Sequence, residues 1–293
     1  MDKTESIRLL RRTLSEISTT MYYNYVDWKC CQELIPLTES ERMAENMYRM
    51  MIFKAKSIGL MSKGFVILRT QKGIIPDPST MYSVLRSMYE LLFLFRCIYV
   101  SPKTDVERDL LFNLWKVKGN NNLIQVPDKE LNIEEQRKKR AANNENKRLR
   151  MEIRNQMNRL GLSKSIIDTI EYTVNKNSPT LKGFVFKHCE HCGDITDFCA
   201  LDFSDNNMGA ELSDDSYIYS HYSAHSHPSY LGLKHFEEMY INKEEDYYVQ
   251  EILGHTCIYL TRFMKDFCDY KVSYNTIYNQ NANQIISLIS RIQ

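Results

Sequence analysis

The chain has 293 residues, with 38 lysines and arginines against 37 aspartates and glutamates. This even balance excludes a chain-wide electrostatic attraction to nucleic acid or to a membrane surface. Only 10 glycines and 7 prolines occur, and this shortage of turn-forming residues favours a few long helices. A chain of this length can bury a sizeable core without metal or disulfide cross-links.

Neither the N-terminus nor any internal segment has the pattern of a targeting or membrane sequence. The first residues, MDKTESIRLLRR, are charged and lack the apolar stretch of a signal peptide. The most apolar segment, residues 88–100, contains Glu90 and Arg96 and is shorter than the roughly 20 residues that a membrane helix needs. We therefore expect a cytoplasmic protein with no membrane partner, whose eight cysteines are reduced thiols.

Helix signals recur along most of the chain. Thr38 and Glu41 have the spacing of a capping box, and they begin a predicted helix that continues past Lys56 toward Arg69. The next predicted helix has Ser79 as its N-cap. Apolar residues at three- and four-residue spacing, which is typical of helices, also occur over residues 101–119, 162–176, 243–267 and 273–293.

These patterns predict an all-α protein, a multi-helix bundle around a central buried helix at about 79–100. That helix is apolar on nearly every face, as expected of a helix that other helices surround. We predict a single helical domain over residues 1–293. Two insertions interrupt it, a basic helical arm at 128–160 and an irregular segment at 178–215.

The basic arm is positively charged and poor in large apolar residues. Between residues 134 and 159 it holds nine arginines and lysines against four glutamates. Such a segment can neutralise phosphates, and Asn143, Asn144 and Asn146 add polar contacts. No aromatic residue lies among the charges to stack on bases, so a solvated helix face and an RNA contact are both open interpretations.

The irregular segment combines a part rich in cysteine and histidine with an acidic part. Segments of this length without periodicity are usually functional or disordered. A C-x-x-C pair can bind a tetrahedral Zn²⁺ ion, which two further histidines or cysteines would complete. The candidate ligands are His188, Cys189, His191, Cys192 and Cys199. The alternative interpretation is a loop with reduced cysteines, and we assign no metal ion or cofactor to the chain.

Residues 217–230, YIYSHYSAHSHPSY, hold a dense group of histidines, serines and tyrosines. At about 100° per residue, Tyr219, Ser223 and His227 lie on one face of a helix. Pro228 disfavours helical backbone at His227, which places this imidazole at a helix C-terminus, where the macrodipole favours the protonated form. A histidine in that position could transfer protons; the alternative is a hydrogen-bonded histidine that closes the helix.

His221 and His225 lie almost opposite, on the other face of the same predicted helix. Their spacing of four residues would allow a helix to chelate zinc. However, the segment HYSAH lacks the glutamate of the metalloprotease pattern H-E-x-x-H. Because no third ligand is evident, we predict that His221 and His225 face water.

Arg86 and Glu90 introduce charges into the central apolar helix. They are four residues apart, on the same side as Tyr82, Tyr89 and Phe93. An unpaired buried charge is costly, so the two residues should pair with each other or with another polar site. They form either a structural ion pair or a polar centre in which Arg86 binds an anion and Glu90 orients it.

Two short motifs combine these residues. The first is R-x-x-x-E, at Arg86 and Glu90. The second is Y-x-x-x-S-x-x-x-H-P, whose fixed positions are Tyr219, Ser223, His227 and Pro228. With these motifs the chain resembles a family of bacterial helical proteins that is catalogued as a domain of unknown function. The resemblance implies an all-helical fold.

The resemblance covers about residues 40–110 and 215–270 and leaves out both insertions. The family is similar to the HEPN-type proteins of toxin–antitoxin and phage-defence systems, some of which cut RNA. HEPN ribonucleases carry the motif R-x(4–6)-H within one helix, whereas here the nearest arginine before the histidines is Arg159. A ribonuclease of this kind would need Arg86 to meet His227 through the fold.

Our leading hypothesis is a HEPN-like, RNA-directed effector of a bacterial defence or toxin system, with RNA bound through the basic arm. As an enzyme it would be a metal-independent ribonuclease, in which His227 is the general acid and base and Arg86 stabilises charge on phosphorus. Glu90 and Tyr219 would position these two groups. Ser223 would orient His227.

Two alternatives use the same residues differently. In the first, the chain is a non-catalytic helical interaction or sensor module whose polar residues form a buried network that fixes the helix register. Its target would then be a protein partner or a second copy in a homodimer. In the second alternative, zinc bound by the cysteine-rich segment stabilises a helical protein.

Overall fold

The computed structural model describes residues 3–31, 36–65, 75–176, 183–203, 216–226, 229–271 and 273–274. These residues form nine α-helices, a short π-helix, a 3₁₀-helix and one two-stranded sheet. The predicted all-α fold class is therefore confirmed for this part of the chain, with the small sheet as its exception. Within the same residues, no helix combines the length and apolar character needed to cross a membrane.

In chain order the helices are α1 (Lys3–Cys31), α2 (Glu39–Met61), α3 (Pro78–Phe95), α4 (Asp105–Ile124), α5 (Ile133–Arg159), α6 (Lys164–Lys176), α7 (Ser216–Ser226), α8 (Tyr230–Ile241) and α9 (Glu245–Tyr270). The π-helix (Arg96–Val100) follows α3, and the 3₁₀-helix (Asp128–Glu130) precedes α5. Strands β1 (Gly183–His188) and β2 (Ile195–Leu201) come between α6 and α7 in the sequence.

The chain divides into two compact units. The first comprises residues 1–93 and 206–293, and the second comprises residues 94–205. Each unit has buried apolar side chains of its own. The prediction of a single domain over residues 1–293 stays a prediction.

In the first unit, α1, α2 and α9 pack against one another. α1 buries Leu10, Leu14, Ile17 and Met21, which recur every three or four residues along one face. We did not predict this helix from the sequence, although its apolar residues have helical spacing. Its burial against two other helices stabilises it.

The predicted capping box at the start of α2 is present. The N–H of Glu41 donates to Oγ1 of Thr38 at 3.2 Å, and the N–H of Thr38 donates to Oε2 of Glu41 at 2.9 Å. The helix ends at Met61, earlier than predicted. Shortly afterwards Gly64 adopts a φ of 71°, a left-handed conformation that terminates helices and that glycine adopts readily. Arg69 lies outside the described residues.

α3 is the central buried helix, and the π-helix that follows it continues the predicted segment of about 79–100. Several of its side chains are at most 1% exposed: Met81, Tyr82, Leu85, Met88, Tyr89, Leu92 and Phe93. Buried residues cover more than half of the helix circumference. Arg86 and Glu90 lie on the remaining side, which is only half-buried.

In the second unit, the predicted basic arm contains α5. The helix begins with a capping box between Asn132 and Glu135. Leu149, Ile153 and Met157 lie on one face and pack into the core of this unit. The arm therefore contains a helix that packs against the core on one face and exposes the opposite face to solvent.

The segment at 178–215, which we predicted to be irregular, contains an antiparallel β-hairpin, so the prediction is wrong for this part. The register of β1 and β2 places Phe186 opposite Phe198. Phe184, Phe186 and Phe198 pack into the core of the second unit together with α4 and α5 residues. The strands are short, and β1 is buried on both faces along its first four residues, so neither shows a clear alternation in the sequence. Most of the remaining segment lies outside the described residues.

Three of the other four predicted helices are present. α4, α6 and α9 confirm the helices predicted over 101–119, 162–176 and 243–267 to within a few residues at each end. The helix predicted over 273–293 lies outside the described residues apart from its first two.

Candidate functional site

α3 and α7 bring three of the predicted site residues together in the first unit. Nε of Arg86 donates a hydrogen bond to Oε1 of Glu90 at 3.0 Å, and the hydroxyl of Tyr219 donates to the same oxygen at 3.2 Å. The guanidinium carbon of Arg86 lies 5.3 Å from the centre of the Tyr219 ring, within the range of a cation–π contact. We call Arg86, Glu90 and Tyr219 the Arg86 cluster.

The Arg86 cluster is half-buried. The side chains of Arg86 and Glu90 are 22% and 27% exposed, so solvent reaches both of them. Burial raises the pKa of Tyr219, and the Glu90 carboxylate raises it further, while Arg86 partly opposes the effect. The phenol therefore keeps its proton at neutral pH and acts as a hydrogen-bond donor, not as a base.

A second cation lies close to this cluster. Nζ of Lys54, on α2, donates to Oγ of Ser87 at 2.6 Å. Burial lowers the pKa of Lys54, and the attraction of Glu90 opposes that effect. Two cations around one carboxylate leave a net positive charge, which favours the approach of an anion such as a phosphate.

The last two predicted site residues lie further along α7. Ser223 is half-buried, one turn beyond Tyr219. α7 ends at Ser226, and His227 lies outside the described residues together with Pro228. The predicted meeting of His227 with the Arg86 cluster therefore stays a prediction.

The prediction that His221 and His225 face water is wrong. Nε2 of His221 lies 3.4 Å from the hydroxyl of Tyr82 and 3.6 Å from Oε1 of Glu251. The ring of His225 stacks on that of Tyr82 with a centroid distance of 4.7 Å. Both sides of α7 contact protein in the first unit, so a histidine opposite Tyr219 is half-buried.

α8 and α9 add further histidines to the same place. The rings of His225 and His235 stack at 5.0 Å. On α9, Nδ1 of His255 lies 2.7 Å from the hydroxyl of Tyr222 and 4.0 Å from Oε1 of Glu251. We define the histidine cluster by its five members, His221, His225, His235, Glu251 and His255.

Burial controls the protonation of the histidine cluster. It lowers the pKa of His225 to about 4, with smaller effects of the same sign from His221 and His235. Burial also lowers the pKa of His221. It raises the pKa of Glu251, against the opposing effects of His255 and of a hydrogen bond from Tyr82. At neutral pH, His221 and His225 are therefore neutral imidazoles that can accept a proton.

One nitrogen of the histidine cluster has no partner in the described structure. Nδ1 of His235 is buried and lacks a hydrogen-bond acceptor or donor among the described residues. A buried polar atom of this kind is costly unless water or a ligand satisfies it. The cluster therefore has the capacity to bind a further polar group.

Buried tyrosines connect the two clusters. The ring of Tyr89 lies 5.3 Å from that of Tyr219 and 5.9 Å from that of Tyr259. The hydroxyl of Tyr259 lies 3.3 Å from that of Tyr222, which in turn reaches His255. The Arg86 cluster and the histidine cluster thus belong to one continuous set of packed polar side chains.

The described residues contain no set of three or more histidine, cysteine, aspartate or glutamate side chains arranged to hold a metal ion. This applies to the histidine cluster. It also applies to the candidate zinc ligands of the hairpin. Nε2 of His188 lies 3.1 Å from Oε2 of Glu107 on α4, and Cys199 lies within β2, opposite Val185.

Part of the positive charge of the basic arm is paired with neighbouring acids. Arg148 contacts both Glu145 and Glu152. The hydrogen bonds that Glu145 accepts lower its pKa to about 2, so the carboxylate stays charged. Arg140 and Lys147 are exposed and are suitable for contacting a phosphate.

Sequence reasoning misses the three members of the histidine cluster that α8 and α9 contribute, His235, Glu251 and His255. The one local signal is the spacing of Glu251 and His255, four residues apart on an amphipathic helix. His235 has no local signal, since only the packing of α8 on α7 brings it to His225.

Comparison of the chain with protein-family models, curated proteins and solved structures finds no match. A function for the chain therefore has to be inferred from the geometry of the two clusters.

Proposed function

We propose that the chain is an RNA-directed effector that cleaves RNA without a metal ion, at the surface where α3, α7 and α9 meet in the first unit. The observation that carries this proposal is the histidine cluster, in which the neutral imidazole of His221 lies beside Glu251, a carboxylate of raised pKa. The lowered pKa keeps His221 neutral and able to accept a proton at neutral pH, which is the state that a general base needs. The context of a toxin or defence system is that of the HEPN-type proteins, to which the family that the chain resembles is similar.

RNA supplies its own nucleophile for this reaction, the 2′-hydroxyl group. His221 accepts the proton of that hydroxyl as its oxygen attacks the adjacent phosphorus. The bond between phosphorus and the 5′-oxygen breaks, and the leaving oxygen takes a proton from His227, which keeps its predicted role as general acid. The products are a 2′,3′-cyclic phosphate and a 5′-hydroxyl.

The surrounding charges support this sequence of steps. Glu251, 3.6 Å from His221, stabilises the imidazolium that forms when His221 takes up the proton. Arg86 and Lys54 lie on the Tyr219 side of α7, opposite His221, and their positive charge would bind a neighbouring phosphate of the RNA chain. Glu90 and Tyr219 hold the guanidinium of Arg86 in place through the hydrogen bonds described above.

The test is the cleavage of labelled RNA by the purified chain in the presence of a metal chelator. We expect cleavage with a 2′,3′-cyclic phosphate product, and no cleavage where the substrate has a 2′-deoxy sugar. His221→Ala should lower the rate by about 10²- to 10⁴-fold, the usual contribution of an acid–base group. As a matched control, His191→Ala removes an exposed histidine from the hairpin and should leave the rate unchanged. Cleavage of the deoxy substrate would contradict the proposal, as would full activity of the His221 variant.

A second function, a non-catalytic interaction or sensor module, is favoured by one observation. Each member of the Arg86 cluster already bonds to another, and the connecting tyrosines Tyr89, Tyr222 and Tyr259 are buried. Such a network can serve to fix helix register alone. In that case RNA would remain intact in the assay above, and His221→Ala would lower only the melting temperature.

A further inference from the structure

The apex of the β1–β2 hairpin, in the second unit, is a compact turn with two cysteines. The chain reverses in the sequence CEHCGD. The N–H of Cys189 donates to the carbonyl of Asp194 at 2.8 Å, and the N–H of Gly193 donates to the carbonyl of Cys189 at 3.0 Å. Gly193 has a φ of 78°, a backbone angle that residues with a Cβ atom rarely adopt. The glycine after the second cysteine therefore closes the turn.

The turn acts differently on its two sulfur atoms. The N–H groups of Cys192 and His191 lower the pKa of Cys189. The pKa of Cys192 is raised, because the side chains of Asp194 and Cys189 outweigh the opposing effect of the N–H of Asp194. The turn therefore favours the thiolate, the form in which cysteine binds a metal ion, at Cys189.

The turn is exposed, whereas the strands that carry it are anchored. Cys192 is exposed and Cys189 is half-buried. Below them, Phe184, Phe186 and Phe198 are buried in the core of the second unit. The two sulfurs are thus held at the surface by a folded base, and changing them should leave that core intact.

The turn supplies half of a tetrahedral site. Zn²⁺ in structural sites takes four ligands, commonly four thiolates. Among the described residues no third side chain completes a metal group, and a second copy of the chain can supply the other two ligands. In a dimer with two-fold symmetry, both subunits contribute the same surface to the contact. If the two-fold axis passes through the ion, Cys189 and Cys192 of the second subunit supply the other two sulfur ligands.

We propose that Cys189 and Cys192 bind one Zn²⁺ ion together with the same two residues of a second copy of the chain. Each thiol loses its proton on binding, and no oxidant or reductant takes part. The hairpin apex thereby becomes a zinc-dependent dimer contact. This contact does not depend on the proposed ribonuclease activity.

The experiment uses the full chain, stripped of metal and reduced with a phosphine, and measures bound zinc together with molecular mass by light scattering. We expect one Zn²⁺ per two chains and a doubling of the mass that a chelator reverses. With Co²⁺ as the probe, an intense sulfur-to-cobalt charge-transfer absorption should appear. Zinc should also protect Cys189 and Cys192 from alkylation in the unaltered protein, a measurement that requires no variant.

Substitutions locate the site. Cys189→Ser and Cys192→Ser should each abolish the mass change. Cys199→Ser, in β2, should retain it, as should the double substitution Cys30→Ser/Cys31→Ser, which removes two other exposed thiols. The proposal would be overturned by zinc bound to a monomer or by no zinc uptake.

Discussion

Oε1 of Glu90 accepts hydrogen bonds from both Arg86 and Tyr219, so the contribution of a single hydroxyl can be isolated there. Tyr219→Phe removes that hydroxyl and keeps the ring that packs on Arg86. We expect the free energy of unfolding to fall by about 1 kcal/mol, the usual net value of one hydrogen bond. Urea denaturation monitored by circular dichroism measures the change.

Tyr230 provides the matched control for this substitution. It is 83% exposed, so Tyr230→Phe removes a hydroxyl that water already satisfies. An equal loss of stability in the two variants would show that the contact of Tyr219 with Glu90 contributes nothing specific.

His225 determines a pH dependence. Its pKa is about 4 in the folded chain, against about 6.5 for an unperturbed histidine. Above pH 6.5 the imidazole of His225 is neutral in both the folded and the unfolded chain, so it adds no pH dependence to the stability. Below that value the unfolded chain takes up the proton first, so stability falls as the pH drops from about 6.5 to 4. We expect the urea midpoint to decrease over this range, and His225→Gln to reduce the decrease.

The difference between variant and unaltered protein isolates His225 from the carboxylates, which titrate in part of the same range. His191→Gln, at the exposed hairpin apex, should leave the pH dependence as it is. A His225 variant with the same pH dependence as the unaltered protein would contradict the assignment of a buried, neutral imidazole.

At the scale of an element, α5 presents its exposed cations on the side away from the core of the second unit. If RNA binds there, Arg140→Gln together with Lys147→Gln should lower the affinity for RNA whatever its base sequence. The logarithm of the affinity should also depend less steeply on the logarithm of the salt concentration, by about 0.7 for each phosphate that the variant no longer neutralises. Fluorescence anisotropy with a labelled single strand, measured over a salt series, provides both values.

The control for α5 changes the same number of charges elsewhere. Lys3 and Arg8 are exposed on α1, so Lys3→Gln together with Arg8→Gln alters the net charge equally. If this pair reduces the salt dependence as much as the α5 pair does, the attraction is general, and the basic arm is not the RNA-binding element.

The elements also differ in how well the sequence predicts them. α2, α4, α6 and α9 follow from caps and from apolar residues at helical spacing, because those signals are local. β1 and β2 do not, since burial of both faces of β1 removes the alternation that marks a half-exposed strand. Caps and helical spacing therefore predict these helices, whereas the strands depend on burial that the local sequence does not show.

For the whole molecule, the two proposals fall in different units. The Arg86 cluster and the histidine cluster lie in the first unit, whereas the basic arm and the cysteine turn lie in the second. Each unit has its own buried core. The variants that test the two clusters therefore change residues of the first unit, and those that test the cysteine turn change residues of the second.

The sequence by itself determined that the chain is largely helical, that α3 is buried, and that Arg86 and Glu90 on it need a polar partner. These properties depend on residues within a few positions of one another. Only the tertiary structure decided the environment of α7, whose two faces both contact protein, so that His221 and His225 are covered. It also decided the contribution of His235, Glu251 and His255, because helix packing brings together residues whose distance in the chain leaves no pattern in the sequence.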